Sequence, residues 1–264
     1  MSGKRNGMRV FYGFPERGTL RCPVVTVGSF DGVHVGHQAI LDRMKELAAE
    51  RDGECAVVTF DPHPRTVLGG APVPLLSTLP EKLVLLEAAG ADAVVVVRFT
   101  PEFSRIPSHE FVARYLVGRL GMGTLLAGYD HRLGRDKEGD YAALSEASRR
   151  LGFALEKMPC RQAAGRDVSS TVVRRLVSEG RMAEAAIRLG APYPLAGRAD
   201  ASGRMAPVDP CKLLPPPGRY PVAVGWGGEP DGGRNFELEI ASGRRLRLRG
   251  GDGLPEGNLV VEFI

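Results

Sequence analysis

His34 and His37 stand three residues apart around a glycine, in the run Val24-Val25-Thr26-Val27-Gly28-Ser29-Phe30-Asp31-Gly32-Val33-His34-Val35-Gly36-His37. An imidazole donates a hydrogen bond to an anionic oxygen, and a glycine between two imidazoles lets the backbone approach the same ligand. Phosphate is the chemistry this pattern fits. A β-branched run precedes the turn and an amphipathic run follows it, so the order is strand, glycine-rich turn, helix, with Gly28, Gly32 and Gly36 releasing the backbone into tight conformations. His37 then falls in the first helical turn, where free N–H groups and the positive end of the dipole favour an anion. Two histidines at this spacing also fit zinc, but no Cys-x-x-Cys and no third ligand at a recognisable spacing accompanies them, so no metal ligand is assigned. Read alone, the tetrapeptide fits an ordinary surface turn as well.

Three further stretches carry chemistry-bearing residues. Pro62-His63-Pro64 follows a predicted strand, Ala56 to Phe60; the two prolines fix the backbone, which suits a wall for a flat ring and equally suits a rigid turn. Gly128-Tyr129-Asp130 opens a polar, glycine-punctuated loop that runs to Asp140 and reads as an active-site loop or a solvated one. In Ser169-Ser170-Thr171-Val172-Val173-Arg174, hydroxyls at a helix start bond phosphate oxygens or cap the helix, and Arg174 lies one turn inside, on the side of Ser170. The stretch is a second anion site or a plain cap with a surface arginine.

These residues need a frame, and periodicity supplies it. Ile40, Leu41, Met44, Leu47 and Ala48 form one apolar face of the first helix. Thr78-Leu79-Pro80-Glu81 is a capping box with proline in the first turn, opening a helix that runs to Gly90. Strands at 93–99, 124–127 and 153–158 alternate with helices at 107–120 and 141–151, and a short helix spans 182–189. Such alternation predicts a parallel sheet whose ligands lie beyond the carboxyl ends of its strands, where the first three stretches above begin. After Gly190 the chain turns to glycine, proline and short β-like runs at 220–224, 236–240, 245–248 and 259–263. The expected organisation is an α/β domain over 1–190 and a smaller β domain over 191–264.

Composition narrows the function class. The 264 residues are 43% hydrophobic, enough for a real core, without any run of about 18 apolar residues and without the apolar centre of a signal peptide at the start. Four scattered cysteines, Cys22, Cys55, Cys160 and Cys211, fit a reducing compartment, so a cytoplasmic protein that does not engage membranes is expected. A net charge of +4 suits an anionic small molecule, and no basic block with interleaved aromatics argues for nucleic acid. Oligomeric state is not legible.

Set side by side, the four stretches resemble the prokaryotic bifunctional riboflavin kinase/FAD synthetase family, specifically its FMN adenylyltransferase domain. Gly28-x-Phe30-Asp31-Gly32-Val33-His34-x-Gly36-His37 is similar to the family's nucleotidylyltransferase signature, Phe60-x-Pro62-His63-Pro64 to its second motif, Gly128-Tyr129-Asp130 with Arg132, Gly134 and Gly139-Asp140 to its third, and Ser169-Ser170-Thr171-x-x-Arg174 to its fourth. The resemblance implies a Rossmann-like fold of the HxGH nucleotidylyltransferase kind and the reaction of ATP with FMN to give FAD and pyrophosphate, without a covalent enzyme intermediate. It implies that His34 and His37 stabilise charge on the α- and β-phosphates and that Ser170, Thr171 and Arg174 hold the departing pyrophosphate. Gly28, Phe30, Asp31, Gly32, Gly36 and Ser169 would shape the nucleotide site, Pro62, His63 and Pro64 the flavin side, and Gly128, Tyr129 and Asp130 the FMN phosphate and ribityl region, with Mg²⁺ arriving on the triphosphate.

Departures from the family are as informative. His131 and Leu133 stand where the third motif usually carries aromatic residues, and Arg166-Asp167 precedes the fourth where a basic residue nearer the serines is common. The family's kinase domain carries Gly-Phe-Pro-Thr-Ala-Asn for ATP and metal, whereas the corresponding region here reads Met205-Ala206-Pro207-Val208-Asp209-Pro210. Leu214-Pro215-Pro216-Pro217-Gly218-Arg219-Tyr220 keeps the family's Leu-Pro-x-x-Gly-x-Tyr turn. The expectation is an FMN adenylyltransferase with a shortened β barrel or half-barrel that has lost kinase activity. Two alternatives stay open: a related transferase using another phosphorylated acceptor or CTP, and a nucleotide or flavin sensor without turnover.

Overall fold

The computed structural model of the chain describes residues 7–69, 72–128, 141–158, 162–163, 166–207, 209–226, 229–230, 236–250 and 256–264. Six strands form a parallel sheet: β1 (Arg9–Tyr12), β2 (Val24–Val27), β3 (Cys55–Asp61), β4 (Ala93–Arg98), β5 (Thr124–Ala127) and β6 (Ala154–Lys157), in the order β1-β4-β3-β2-β5-β6. All residues of β2 and β5 are buried, and β3 and β4 are buried except at their ends. That is why they read as continuous apolar runs rather than alternating ones: a parallel sheet covered on both faces has no wet side.

Helices α1 (Val35–Glu50), α2 (Pro64–Gly69), α3 (Leu79–Ala88), α4 (Ser108–Glu110) and α5 (Tyr141–Leu151) lie between the strands. Helix α1 buries Leu41, Met44, Leu47 and Ala48, four of the five positions in the predicted stripe. Helix α4 runs straight into a π-helical stretch, Phe111–Arg119, which the 107–120 periodicity reads as one ordinary helix. Phe111, Val112 and Leu116 from that stretch pack with Leu144 and Ala147 of α5 on Val25, Val58, Val95 and Leu125 of the sheet. Of the elements up to β6, β1 and α2 were not expected. Strand β1 is a four-residue edge that pairs only with β4 and leaves Tyr12 exposed, and α2 is a six-residue helix with no buried side chain, so neither has a periodic apolar signature.

A two-strand ribbon, β7 (Gln162–Ala163) with β8 (Arg166–Asp167), precedes α6 (Ser170–Ser178) and α7 (Met182–Leu189). Helix α7 ends on Gly190 at φ 78°, the left-handed stop that glycine supplies. The remaining strands are β9 (Tyr193–Ala199), β10 (Arg204–Pro207), β11 (Gly218–Trp226), β12 (Glu229–Pro230), β13 (Phe236–Ala241), β14 (Arg245–Arg249) and β15 (Gly257–Phe263). They run β11-β13-β14-β10-β9-β15 and close through a second pairing of β15 with β11, Val222 opposite Phe263 to Trp226 opposite Leu259. The result is a closed six-stranded antiparallel barrel with β12 added at β11, not a half-barrel. Tyr193, Leu195, Val222, Leu238, Ile240, Leu248, Val261 and Phe263 from its strands form one buried cluster with residues of α6 and α7.

The compact units do not follow chain order. One takes the described residues of Met1–Phe30, Gly36–Val73 and Leu83–Arg161; the other takes Asp31–Val35, Pro74–Lys82 and Gln162–Ile264. The glycine-rich turn therefore belongs partly to each. Among the described residues no helix is long and apolar enough to cross a membrane, and Cys22, Cys55 and Cys211 are free thiols.

Candidate active site

In the parallel sheet, β3 and β4 lie on one side of β2 and β5 on the other. The chain reverses its direction of winding between β2 and β5, and the crevice at their carboxyl ends is where doubly wound sheets bind ligands. Strand β2 feeds Gly28 and the signature turn, and β5 feeds Gly128. Tyr129 and Asp130, with the rest of the third motif, lie outside the described residues.

The turn is more strained than its glycines suggest. Gly32 takes φ 82°, but Gly28 and Gly36 are not left-handed; Phe30 at φ 48° and Val33 at φ 39° are. Left-handed backbone is costly for a bulky or β-branched residue and persists only where surrounding contacts over-determine it, as at functional sites. Gly36 instead lies in the first turn of α1, and Gly28 makes room: a Cβ there would stand 3.1 Å from the Phe30 ring. Phe30 is buried and stacks on His37, with ring centroids 4.6 Å apart at 37°. His37 lies in the first turn of α1, as the periodicity predicts.

In the second unit the contacts converge on Asp31, which is 1% exposed. Its Oδ1 accepts from Ser77 N at 2.8 Å and Ser77 Oγ at 3.2 Å, and its Oδ2 accepts from Leu76 N at 3.1 Å and Arg174 Nη2 at 2.5 Å. Four donors on one buried carboxylate offset much of the cost of burying its charge. Ser77 Oγ also accepts from Gly32 N at 2.9 Å, and Ser170 Oγ donates to the Asp31 carbonyl at 3.0 Å. The first and fourth motifs thus meet at Asp31. Asp31 anchors the turn, and Arg174 pairs with Asp31 while its Nε donates to Pro74 O at 2.9 Å. Ser169 is the N-cap of α6, accepting from Val172 N at 3.3 Å, and Thr171 is exposed beside it.

His34 is 7% exposed, and burial pulls its pKa down from 6.5 to about 4, against the opposing pull of a backbone hydrogen bond and the Asp31 charge. At neutral pH it is a neutral imidazole, with one N–H to donate and no charge. His63 is buried, and its Nδ1 accepts from Arg65 N at 3.2 Å; Pro64 is the first residue of α2. The Pro-His-Pro stretch is therefore a helix start capped by its own histidine, with Pro62 exposed. Among the described residues no three His, Cys, Asp or Glu side chains gather to hold a metal ion.

Sequence reasoning missed Ser77, Leu76 and Pro74, whose contacts are mostly through backbone, and Lys212 with Glu81. Lys212 is fully buried; its Nζ donates to Glu81 Oε2 at 2.8 Å and lies 4.3 Å from the Tyr193 ring centre. Burial lowers its pKa and the Glu81 charge opposes the shift. The only signal was the capping box, which forms as read: Thr78 N donates to Glu81 Oε2 at 2.8 Å and Glu81 N to Thr78 Oγ1 at 3.4 Å.

Residues 17–172 match the family model described as FAD synthetase. The chain is 38% identical over 176 residues to a bifunctional riboflavin kinase/FMN adenylyltransferase of Listeria monocytogenes, covering 66% of this chain and 55% of that one. It is 29% identical over 219 residues to the protein of the same description from Bacillus subtilis, covering 78% and 68%. The chain thus spans about half the length of the first of these relatives. In fold it is similar to a macrolide-efflux protein from Streptococcus pneumoniae, with a TM-score of 0.82 at 21% identity over 97% of this chain and 98% of the other.

Proposed function

We propose that this chain, which belongs to the FAD synthetase family, joins ATP to FMN to form FAD and pyrophosphate. An oxygen of the FMN phosphate attacks the α-phosphorus of ATP in line, the new P–O bond forms, and the α–β bridging bond breaks with its electron pair leaving on pyrophosphate. The observation that carries the reading is the strained turn at the carboxyl end of β2, which brackets the start of α1 with His34 and His37. The first helical turn and the two imidazoles supply donors to the triphosphate, and no activated nucleophile is required. Ser170, Thr171 and Arg174 at the start of α6 supply the pyrophosphate side, and Arg174 also pairs with Asp31.

Mg²⁺ enters as a partner of the triphosphate. Both oxygens of Asp31 already accept hydrogen bonds from protein donors. Pro62, His63 and Pro64 with the Gly128-Tyr129-Asp130 loop form the flavin side. Residues 191–264 descend from a kinase domain that no longer phosphorylates riboflavin. The partners are small molecules, and the compartment is the cytoplasm, in keeping with free thiols.

The test is direct: purified protein with ATP, FMN and Mg²⁺ should yield FAD and pyrophosphate on chromatography. Folded protein that binds ATP and releases no FAD refutes the assignment. Running CTP in place of ATP, and other phosphorylated acceptors in place of FMN, fixes the substrate pair.

A further inference from the structure

The main chain from Pro74 to Ser77 is claimed atom by atom. Pro74 O accepts from Arg174 Nε; Leu75 N donates to Cys211 O at 2.8 Å and Leu75 O accepts from Leu213 N at 2.8 Å. Leu76 N and Ser77 N both donate to Asp31, and Leu76 O accepts from Lys212 Nζ at 2.7 Å. Every polar group from Pro74 O to Ser77 N thus has a partner, as buried backbone requires. Leu76 is the pivot of the set. It is fully buried, with its N–H on the carboxylate that anchors the signature turn and its carbonyl on an ammonium from the segment between β10 and β11.

That ammonium is held from every side. Besides Leu76 O it donates to Glu81 Oε2 and lies over Tyr193, while Glu81 Oε1 accepts from Ala196 N at 2.7 Å in β9. Tyr193 in turn donates to Leu213 O at 2.8 Å, and Arg244 Nη2 to Lys212 O at 2.7 Å. A buried ion pair is a poor device for stability alone, since a well-packed hydrophobic pair of similar volume serves as well or better. Its use lies in direction: an ammonium fixes a carbonyl at one position where a methyl group would let it slide.

We propose that Lys212 is a positioning residue for adenylyl transfer: it fixes Leu76 and, through Leu76 and Ser77, the Asp31 anchor and the turn that carries His34. The segment between β10 and β11 then acts on the signature turn, a role apart from any kinase chemistry. The proposal rests on the transferase assignment above.

Two variants test it. Lys212→Met combined with Glu81→Gln removes both charges together and leaves no lone buried ion, and Ser77→Ala removes the hydroxyl shared by Gly32 N and Asp31 while sparing the ion pair. Each is read by FAD formation and, independently of turnover, by NMR titration of the His34 ring. In folded variants kcat should fall about 100-fold, with the KM for ATP changing less than about threefold, and the His34 midpoint should rise from about 4 toward 6.5 as water reaches the turn. Wild-type kcat and an unmoved His34 titration in a folded variant overturn the proposal. Should the double variant not fold, Lys212→Met alone, in which Glu81 keeps its hydrogen bonds from Thr78 N and Ala196 N, decides by the same two readouts. Should wild type form no FAD, the transferase assignment falls and the His34 titration alone decides positioning.

Discussion

Arg174 donates to Asp31 at 2.5 Å across 143 residues of sequence, the guanidinium 14% exposed and the carboxylate 1%. The pair joins the start of α6 to the signature turn, and each Asp31 oxygen also accepts a main-chain N–H. Asparagine cannot copy this, because only one of its two terminal atoms accepts. Asp31→Asn should therefore lose about 3–5 kcal/mol in denaturant unfolding, and FAD formation by the folded fraction should fall about 100-fold. Arg174→Lys keeps the charge but not the fork that reaches Asp31 and Pro74 together, so it should cost activity with a smaller loss of stability.

His34 gives the protein a pH signature. Its folded pKa of about 4 lies below the 6.5 of an unfolded imidazole, so between those values the unfolded chain binds the extra proton. The associated stability is complete above pH 6.5 and is lost progressively as pH falls to about 4, on the order of 3 kcal/mol in all. Urea unfolding of wild type and His34→Asn at pH 7 and pH 4.5 checks the sign. The wild type should lose more stability on acidification than the variant, and equal losses would refute the burial account.

Gly32 combines φ 82° with a Cβ position 3.0 Å and 3.1 Å from the Leu76 side chain and 3.3 Å from Leu189. Leu76 is fully buried and cannot swing aside. Gly32→Ala should destabilise by about 1–3 kcal/mol, visible as a lower Tm. Because the added methyl pushes on Leu76, His34 should also titrate higher than in wild type.

Periodicity made the α1 face, the capping box and the strand runs legible, because each is a local pattern repeated over a turn or a strand. The four motifs were legible as candidate stretches for the same reason. Their division of labour was not. Whether Arg174 meets a ligand or a carboxylate depends on a fold that brings residue 31 to residue 174, and no local pattern in Ser169-Ser170-Thr171 encodes that. Lys212 and Glu81, 131 positions apart, left no trace beyond an ordinary cap and a lone lysine. Strands β9 and β10 escaped notice because Pro194, Gly197 and Pro207 interrupt them, although the barrel seats them in register, Met205 opposite Ala199 and Pro207 opposite Gly197.

That register bears on kinase chemistry. Met205, Ala206 and Pro207 form regular strand in β10, in the stretch where the kinase domain of the family carries threonine and asparagine for ATP and metal. Riboflavin with ATP and Mg²⁺ should yield no FMN above an enzyme-free control, while the same preparation converts FMN to FAD. FMN accumulating from riboflavin would show that the barrel has kept a phosphoryl-transfer site.

His37 separates an enzyme from a sensor. Its ring lies on Phe30, and Phe30 is seated in the space Gly28 leaves open. On the proposed assignment His37→Ala takes away a donor to the transition state and leaves the α1 N-terminus, whose first-turn N–H groups suit an anion. Turnover should fall about 10²–10³-fold, while ATP affinity by calorimetry changes less than about tenfold. Gly28→Ala, which crowds the Phe30 ring and so tilts His37, should give a smaller loss in the same direction. If His37→Ala instead weakened ATP binding as much as it slowed FAD formation, His37 would hold ground state and transition state alike, and charge stabilisation during transfer would have to come from elsewhere in the turn.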